Sequence, residues 1–150
     1  MRAAMNWTYW TYVFTSFSGR INREPFWIAY AILVALEIAT QWLSYQIAGE
    51  RLAAVLDLAL TYPEFAVAAK RGNDRNLPPW VVRLFFAFNV ALDLFILLTG
   101  SFDFDTDNPL IAAIAYPFDF AIVILLVELG FRRGTDGPNS FGPDPLAGKI

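Results

Sequence analysis

Four long apolar stretches, separated by short polar segments, dominate the hydrophobic pattern of the chain. At a rise of about 1.5 Å per residue, each stretch forms a helix of roughly 27 to 36 Å, which matches a hydrocarbon core of about 30 Å. The pattern therefore predicts an all-α integral membrane protein, a bundle of four transmembrane helices. The predicted spans are residues 26–49, 52–69, 80–100 and 109–131.

The second predicted span, residues 52–69, is the least apolar of the four. Asp57, Pro63 and Glu64 interrupt its hydrophobic side chains. A central carboxylate costs about 2.5 to 3.5 kcal/mol on insertion, which roughly cancels the gain from the apolar side chains of this span. We therefore expect its acids to face other helices or a wet crevice and Pro63 to bend it. A re-entrant hairpin is the alternative.

Composition and charge agree with a membrane location. Hydrophobic residues make up 57% of the 150 residues and charged residues only 17%, which is too apolar for an ordinary soluble domain. All Lys and Arg residues except Arg51 lie on one side of the four-span topology. The charged residues of the loop between the last two spans are all acids, Asp103, Asp105 and Asp107. The positive-inside rule then places both termini in the cytoplasm.

The segments outside the spans have their own composition. Residues 1–25 are predicted to form an interfacial segment on the cytoplasmic leaflet. The stretch from Asn6 to Phe17 interleaves aromatic and small polar side chains, which favours this interpretation over an aromatic ligand box. Residues 1–25 contain no apolar core with a cleavage site, so a cleaved signal peptide is not expected. Residues 132–150 are rich in Gly and Pro, which predicts a turn-rich cytoplasmic tail, with Asn139 and Asp144 bonding backbone amides and Phe141 in an apolar notch.

The residue inventory narrows the possible chemistry. The chain has no Cys and no His, which removes thiolate and imidazole catalysis and the usual zinc sites. A net charge of −3 argues against nucleic acid as a partner. The tail lacks the lysine of a phosphate-binding loop, and the acidic loop lacks the glycine and the closing Glu of a calcium loop. We therefore predict a protein that is not an enzyme and uses no cofactor and no metal.

Acids inside the predicted spans are the main candidates for a site. Glu37 and Asp119 lie near mid-depth and Asp93 lies just beyond it. Intramembrane carboxylates often mark proton or cation pathways, but they also hold helices together. Arg83 and Glu128 lie at matching depth on the last two spans, so we predict that they form an ion pair.

Three motifs at the ends of the spans resemble those of a known family, domain-of-unknown-function family 805. These small bacterial inner-membrane proteins have four helices, so the resemblance implies that fold and location but no established reaction or ligand. The central motif departs from the family pattern, with Asn73 where the family often has His and Asn76 where it often has Gly. The motifs are Phe-Ser-Gly-Arg-Ile-Asn-Arg-Glu-Pro-Phe-Trp at 17–27, Pro63 with Lys-Arg-Gly-Asn-Asp at 70–74 and Trp80, and Gly-Thr-Asp-Gly-Pro-Asn-Ser-Phe-Gly-Pro-Asp-Pro at 134–145.

All three motifs lie on the cytoplasmic side of the predicted topology, where they could meet. One interpretation is a site for anionic lipid headgroups or phosphate, since each base near the surface contributes about 1 kcal/mol of attraction. The other is a clamp in which Arg–Asp pairs fasten the loops together. The residues concerned are Gly19, Arg20, Arg23, Lys70, Arg71, Asp74, Asn139 and Asp144.

The predicted function is that of a small non-catalytic membrane protein, an accessory or assembly subunit that binds a larger membrane complex through its helices. Its partners would be the lipid bilayer and another integral membrane protein or a second copy of itself. The alternative is a carrier or channel for protons, cations or a small solute. A water-accessible cavity lined by Glu37, Asp93 and Asp119 would favour the carrier, whereas acids buried against a partner chain would favour the subunit.

Overall fold

The computed structural model describes residues 6–47, 49–99 and 109–147, and all regular secondary structure in these ranges is helical apart from one isolated bridge between Asn139 and Gly142. The predicted all-α class is confirmed. The helices are α1 (Trp7–Thr15), α2 (Arg23–Ile47), α3 (Glu50–Asp74), α4 (Pro79–Thr99) and α5 (Pro109–Gly130).

Some predictions fall on parts of the chain that the structure does not describe. The acidic loop with Asp103, Asp105 and Asp107 lies outside the described residues, and so does the side chain of Asp119 in α5.

Helix α3 lies at the centre of the fold, where it packs against α1, α2, α4 and α5. It runs antiparallel to α2, because Gln41 contacts Asp57 across a connection that turns at Gly49 (φ 73°). It is also antiparallel to α4, since the Phe65 and Phe86 rings stack at 5.0 Å. The ends of the helices that carry the three motifs therefore meet at one end of the molecule.

The buried core is concentrated at this same end. Its members come from α1, the segment before α2, the first half of α2, the end of α3 and the end of α5, so the motifs lie on a common apolar base. They are Val13, Ile21, Phe26, Ala29, Leu33, Val67 and Leu129.

Away from this end, the helices leave large apolar side chains exposed. Trp42 is 67% exposed, Leu98 82% and Phe120 67%. Within the described residues, α2 and most of α3 are long and apolar enough to cross a membrane, and only 17% and 22% of their apolar windows are buried inside the protein. The core helix of a soluble protein would bury most of such a surface.

Candidate functional site

A buried ion triad joins the first two motifs. Asp74, at the end of α3, accepts a hydrogen bond from Arg20 Nε at 3.0 Å on Oδ1 and one from Arg71 Nη1 on Oδ2. At most 4% of any of these three side chains is exposed. Two guanidinium groups therefore share one carboxylate in a water-excluded space, where breaking either pair is costly.

The same two guanidinium groups bind backbone carbonyls of the chain that leads from α5 into the third motif. Arginine suits this task because its five N–H donors lie in a fixed fork. Arg20 donates to the carbonyls of Thr135 (2.6 Å) and Gly137 (2.7 Å), and Arg71 to those of Leu129 (2.5 Å) and Arg132 (2.6 Å). We call Arg20, Arg71, Asp74 and residues 129–142 the motif clamp.

The tail also bonds directly to the end of α3. The Thr135 amide donates to the Asp74 carbonyl at 2.8 Å, and Asn139 Nδ2 donates to the Asn73 carbonyl at 2.9 Å. Gly134 passes so close to Asp74 that a Cβ at this position would lie 2.1 Å from Oδ2. The glycine is therefore required for the tail to reach the carboxylate.

Asp144 closes the tail on itself. Its two carboxylate oxygens accept hydrogen bonds from the amides of Leu146 (2.9 Å) and Gly137 (3.0 Å). These two backbone hydrogen bonds lower the pKa of Asp144, because they stabilise its charged form. Asp144 thus fixes the turn that presents the Gly137 carbonyl to Arg20.

Asn73 and Lys70 fasten the segment before α2 to the end of α3. Asn73 Nδ2 donates to the Gly19 carbonyl at 3.0 Å, while Lys70 Nζ donates to the carbonyls of Tyr12 (3.1 Å) and Ser16. Gly19 has φ +85°, a conformation that favours glycine. Asn73, which stands where the family often has His, supplies an amide donor to this junction.

Glu128 takes part in a second ion cluster, which differs from the pair predicted with Arg83. Its carboxylate binds Arg75 Nη2 at 2.9 Å and Arg132 Nη1 at 2.6 Å, whereas Arg83 lies on an exposed face of α4. Arg75 follows α3 directly and Arg132 lies one helical turn from Glu128, so both are closer partners. Arg23 is also exposed and donates to the Phe131 carbonyl at 3.3 Å.

A second candidate site is a cavity of about 200 Å³ between α2, α3, α4 and α5. Most of its walls are apolar, and its polar lining residues are Tyr30, Glu37, Glu64 and Asn89. Glu37 and Glu64 line this cavity from two neighbouring helices, α2 and α3. Glu64 Oε1 is buried and has no hydrogen-bond donor among the described residues.

The structure brings together only part of the predicted acidic set. Glu37 lines the cavity, Asp93 is half-buried on α4 outside the cavity lining, and the Asp119 side chain is not described. The hydrophobic pattern did not predict that Glu64 lines the same cavity as Glu37. It also did not predict the 2.6 Å hydrogen bond from Gln41 Nε2 to Asp57. Pairing α2 and α3 as an antiparallel hairpin would have predicted both.

These contacts define a class of helical protein in which an N-terminal, a central and a C-terminal motif close on one another. The model of the family described as "Protein of unknown function (DUF805)" matches residues 14–143. The chain therefore belongs to this family, as its three motifs suggested.

The curated relatives carry no assigned activity. The uncharacterized protein YiiR of Escherichia coli strain K12 is 29% identical over 135 residues, which cover 86% of this chain and 85% of that protein. The protein of the same name from Escherichia coli O157:H7 matches to the same extent. No solved structure matches the chain.

Proposed function

We propose that this chain is a non-catalytic protein of the bacterial inner membrane, with four spans and both termini cytoplasmic, that binds another integral membrane protein as an accessory or assembly subunit. One observation carries the proposal. The family motifs are bound to one another, whereas the apolar faces of the long helices are left without a partner inside the protein.

The motif clamp supports a structural role for the motifs. Arg20, Arg71 and Asp74 are buried and bind mainly each other and backbone carbonyls. Groups held in this way have few N–H donors left for a substrate. Ser44, the only serine in the predicted spans, is buried and has no hydrogen-bond partner in the described chain, so no base is in place to activate it.

The exposed helix faces support binding within the membrane. Without a hydrophobic driving force in lipid, helices associate through close packing and interhelical hydrogen bonds. The outer face of α2 combines large apolar side chains with aromatic ones, which enlarge contact area at low cost in conformational entropy. Its most exposed members are Ile38, Trp42 and Tyr45.

Purification of the tagged native protein in a gentle detergent, followed by mass spectrometry of the co-migrating proteins, tests this proposal. We expect a stoichiometric integral membrane partner that is lost in a Trp42→Ala, Tyr45→Ala variant of the α2 face. The matched control is Trp80→Ala, which removes a similarly exposed aromatic side chain from α4. A particle that contains only this chain would contradict the proposal.

A second function, a proton or cation carrier, is favoured by the cavity that contains Glu37 and Glu64. Its test is pH-driven dye quenching in proteoliposomes. A carrier would transport protons or cations, and Glu64→Gln and Glu37→Gln would each abolish the flux. Glu24→Gln, which changes an exposed acid in the first turn of α2, is the control and would retain it. No flux above empty vesicles would rule out this second function.

A further inference from the structure

A cavity of about 370 Å³ lies beside the motif clamp, at the start of α4. Its walls are formed by the segment before α2, the last turns of α3, the first turns of α4 and one side chain of the tail. The apolar lining residues include Phe17, Phe65, Leu77, Val82 and Phe141. The volume is in the range of small-molecule sites, although it is small for a complete lipid.

Arg83 is the only charged residue among the described residues that line this cavity. It makes no ion pair and no hydrogen bond within the described part of the chain, unlike Arg20, Arg71 and Arg75. Its neighbours on the outer face of α4, Trp80 and Leu84, are 63% and 62% exposed. An exposed guanidinium that lies beside apolar walls, with no partner in the described chain, is free to bind an anion from outside the protein.

The position of Arg83 along α4 indicates where that counter-charge lies. Arg83 follows Pro79, the first residue of α4, by about 6 Å along the helix axis. In the proposed topology this level is the cytoplasmic interface, where Arg side chains extend towards headgroups and Trp side chains such as Trp80 settle. Lipid phosphates lie at the same level.

We propose that this cavity binds an anionic phospholipid of the cytoplasmic leaflet, with the phosphate on Arg83 and the adjoining glycerol and first methylene groups against Phe65 and Val82. The site adjoins the motif clamp and shares Phe141 with it, but the arginines of the clamp are already bound to carbonyls. The planar guanidinium can bind a phosphate through two hydrogen bonds, and the apolar walls favour a lipid over a hydrated free phosphate. The inference rests on the membrane placement in the proposed function.

Binding of short-chain phosphatidylglycerol to the purified full chain, measured by native mass spectrometry, tests this site. We expect Arg83→Gln to weaken binding by about fivefold, the effect of one surface base on an anionic lipid. Arg51→Gln is the matched control, since it removes an exposed Arg from the first turn of α3 at the opposite end of the helix. This control should bind as the wild type does.

Two further experiments test whether the apolar walls contribute to binding and whether the ligand is a lipid or a free phosphate compound. Ala69→Phe fills the cavity while keeping Arg83, and it should weaken lipid binding by a similar factor. Glycerol 3-phosphate should compete poorly and phosphatidylcholine should bind weakly. Unchanged binding by Arg83→Gln, or competition by glycerol 3-phosphate equal to that of the lipid, would overturn the site. Recovery of the wild-type chain in the soluble fraction would instead overturn the membrane placement.

Discussion

At Asp74 two guanidinium groups share one carboxylate in a space that water hardly reaches. The net stabilisation from such a group is small, because all three charges lose their hydration. Removal of the shared carboxylate is strongly destabilising, since two positive charges then remain buried close together. The residue that binds both arginines is thus the most sensitive position of the motif clamp.

Asp74→Asn should destabilise the protein by about 3 to 5 kcal/mol, which corresponds to a melting temperature lower by roughly 10 °C or more. Thermal unfolding in detergent measures this change. Asp136→Asn is the control, because the pair of Asp136 with Arg133 is mostly exposed and should contribute less than about 1 kcal/mol. Equal melting temperatures for the two variants would contradict a buried triad.

Asp144 gives the tail a pH dependence. Its pKa is lower in the folded protein than in the unfolded chain, because the amides of Leu146 and Gly137 bind its charged form. The resulting stability is present above the unfolded pKa and is lost as the pH falls through the folded pKa. Amide hydrogen exchange of Gly137 should therefore accelerate in acid beyond its intrinsic pH trend, whereas Asp144→Asn should remove this acid-dependent step. If the acid-dependent step in the exchange of the Gly137 amide persists in Asp144→Asn, a group other than Asp144 causes it.

At the scale of elements, the turn between α3 and α4 explains a departure from the family pattern. Asn76, where the family often has Gly, has φ 55°. The amide of Leu77 donates to the Gly72 carbonyl at 2.9 Å and that of Asn76 to the Asn73 carbonyl at 3.1 Å, which is the Schellman arrangement at a helix end. Asn is the residue other than Gly that best tolerates this conformation.

Asn76→Gly should therefore keep or slightly raise stability, whereas Asn76→Val should lower it by about 1 to 2 kcal/mol, the cost of a left-handed conformation for an ordinary side chain. Thermal unfolding of both variants in the same detergent makes the comparison. An Asn76→Val variant as stable as the wild type would mean that residue 76 does not adopt a left-handed conformation in this turn.

The helices themselves follow from the hydrophobic pattern, since long apolar stretches with few polar interruptions set their positions. The side-chain pairings depended on information that this pattern lacks. Equal depth in the membrane was the reason to predict a pair between Arg83 and Glu128. In the structure Arg83 lies on an exposed face of α4, and Glu128 binds the nearby Arg75. The placement of Glu37 and Glu64 on one cavity requires the register of α2 against α3.

The motif clamp could be anticipated only in outline. The charges of Arg20, Arg71 and Asp74 indicated that opposite groups would pair. Most hydrogen bonds of the two arginines, however, go to backbone carbonyls, and those of the tail are prominent among them. The sequence does not show which carbonyls will accept such bonds. The role of Gly134 likewise depends on how closely the tail approaches Asp74.

The whole molecule has two parts that differ in how they are packed. One end is closed by the motif clamp and a small apolar core. The remainder consists of long helices with exposed apolar faces, which in the proposed function contact lipid and a membrane partner. This division requires that residues 132–150 and the acidic loop at 101–108 lie on opposite sides of a bilayer.

The absence of Cys from the chain makes single-cysteine labelling the most direct test of this claim. Ser140→Cys places a thiol in the tail and Asp105→Cys places one in the acidic loop, and a membrane-impermeant maleimide is applied to intact cells or to inverted membrane vesicles. The account predicts that Ser140→Cys reacts only in inverted vesicles and Asp105→Cys only in intact cells. Labelling of both positions from the same side would contradict the four-span topology and the cytoplasmic location of the motif clamp.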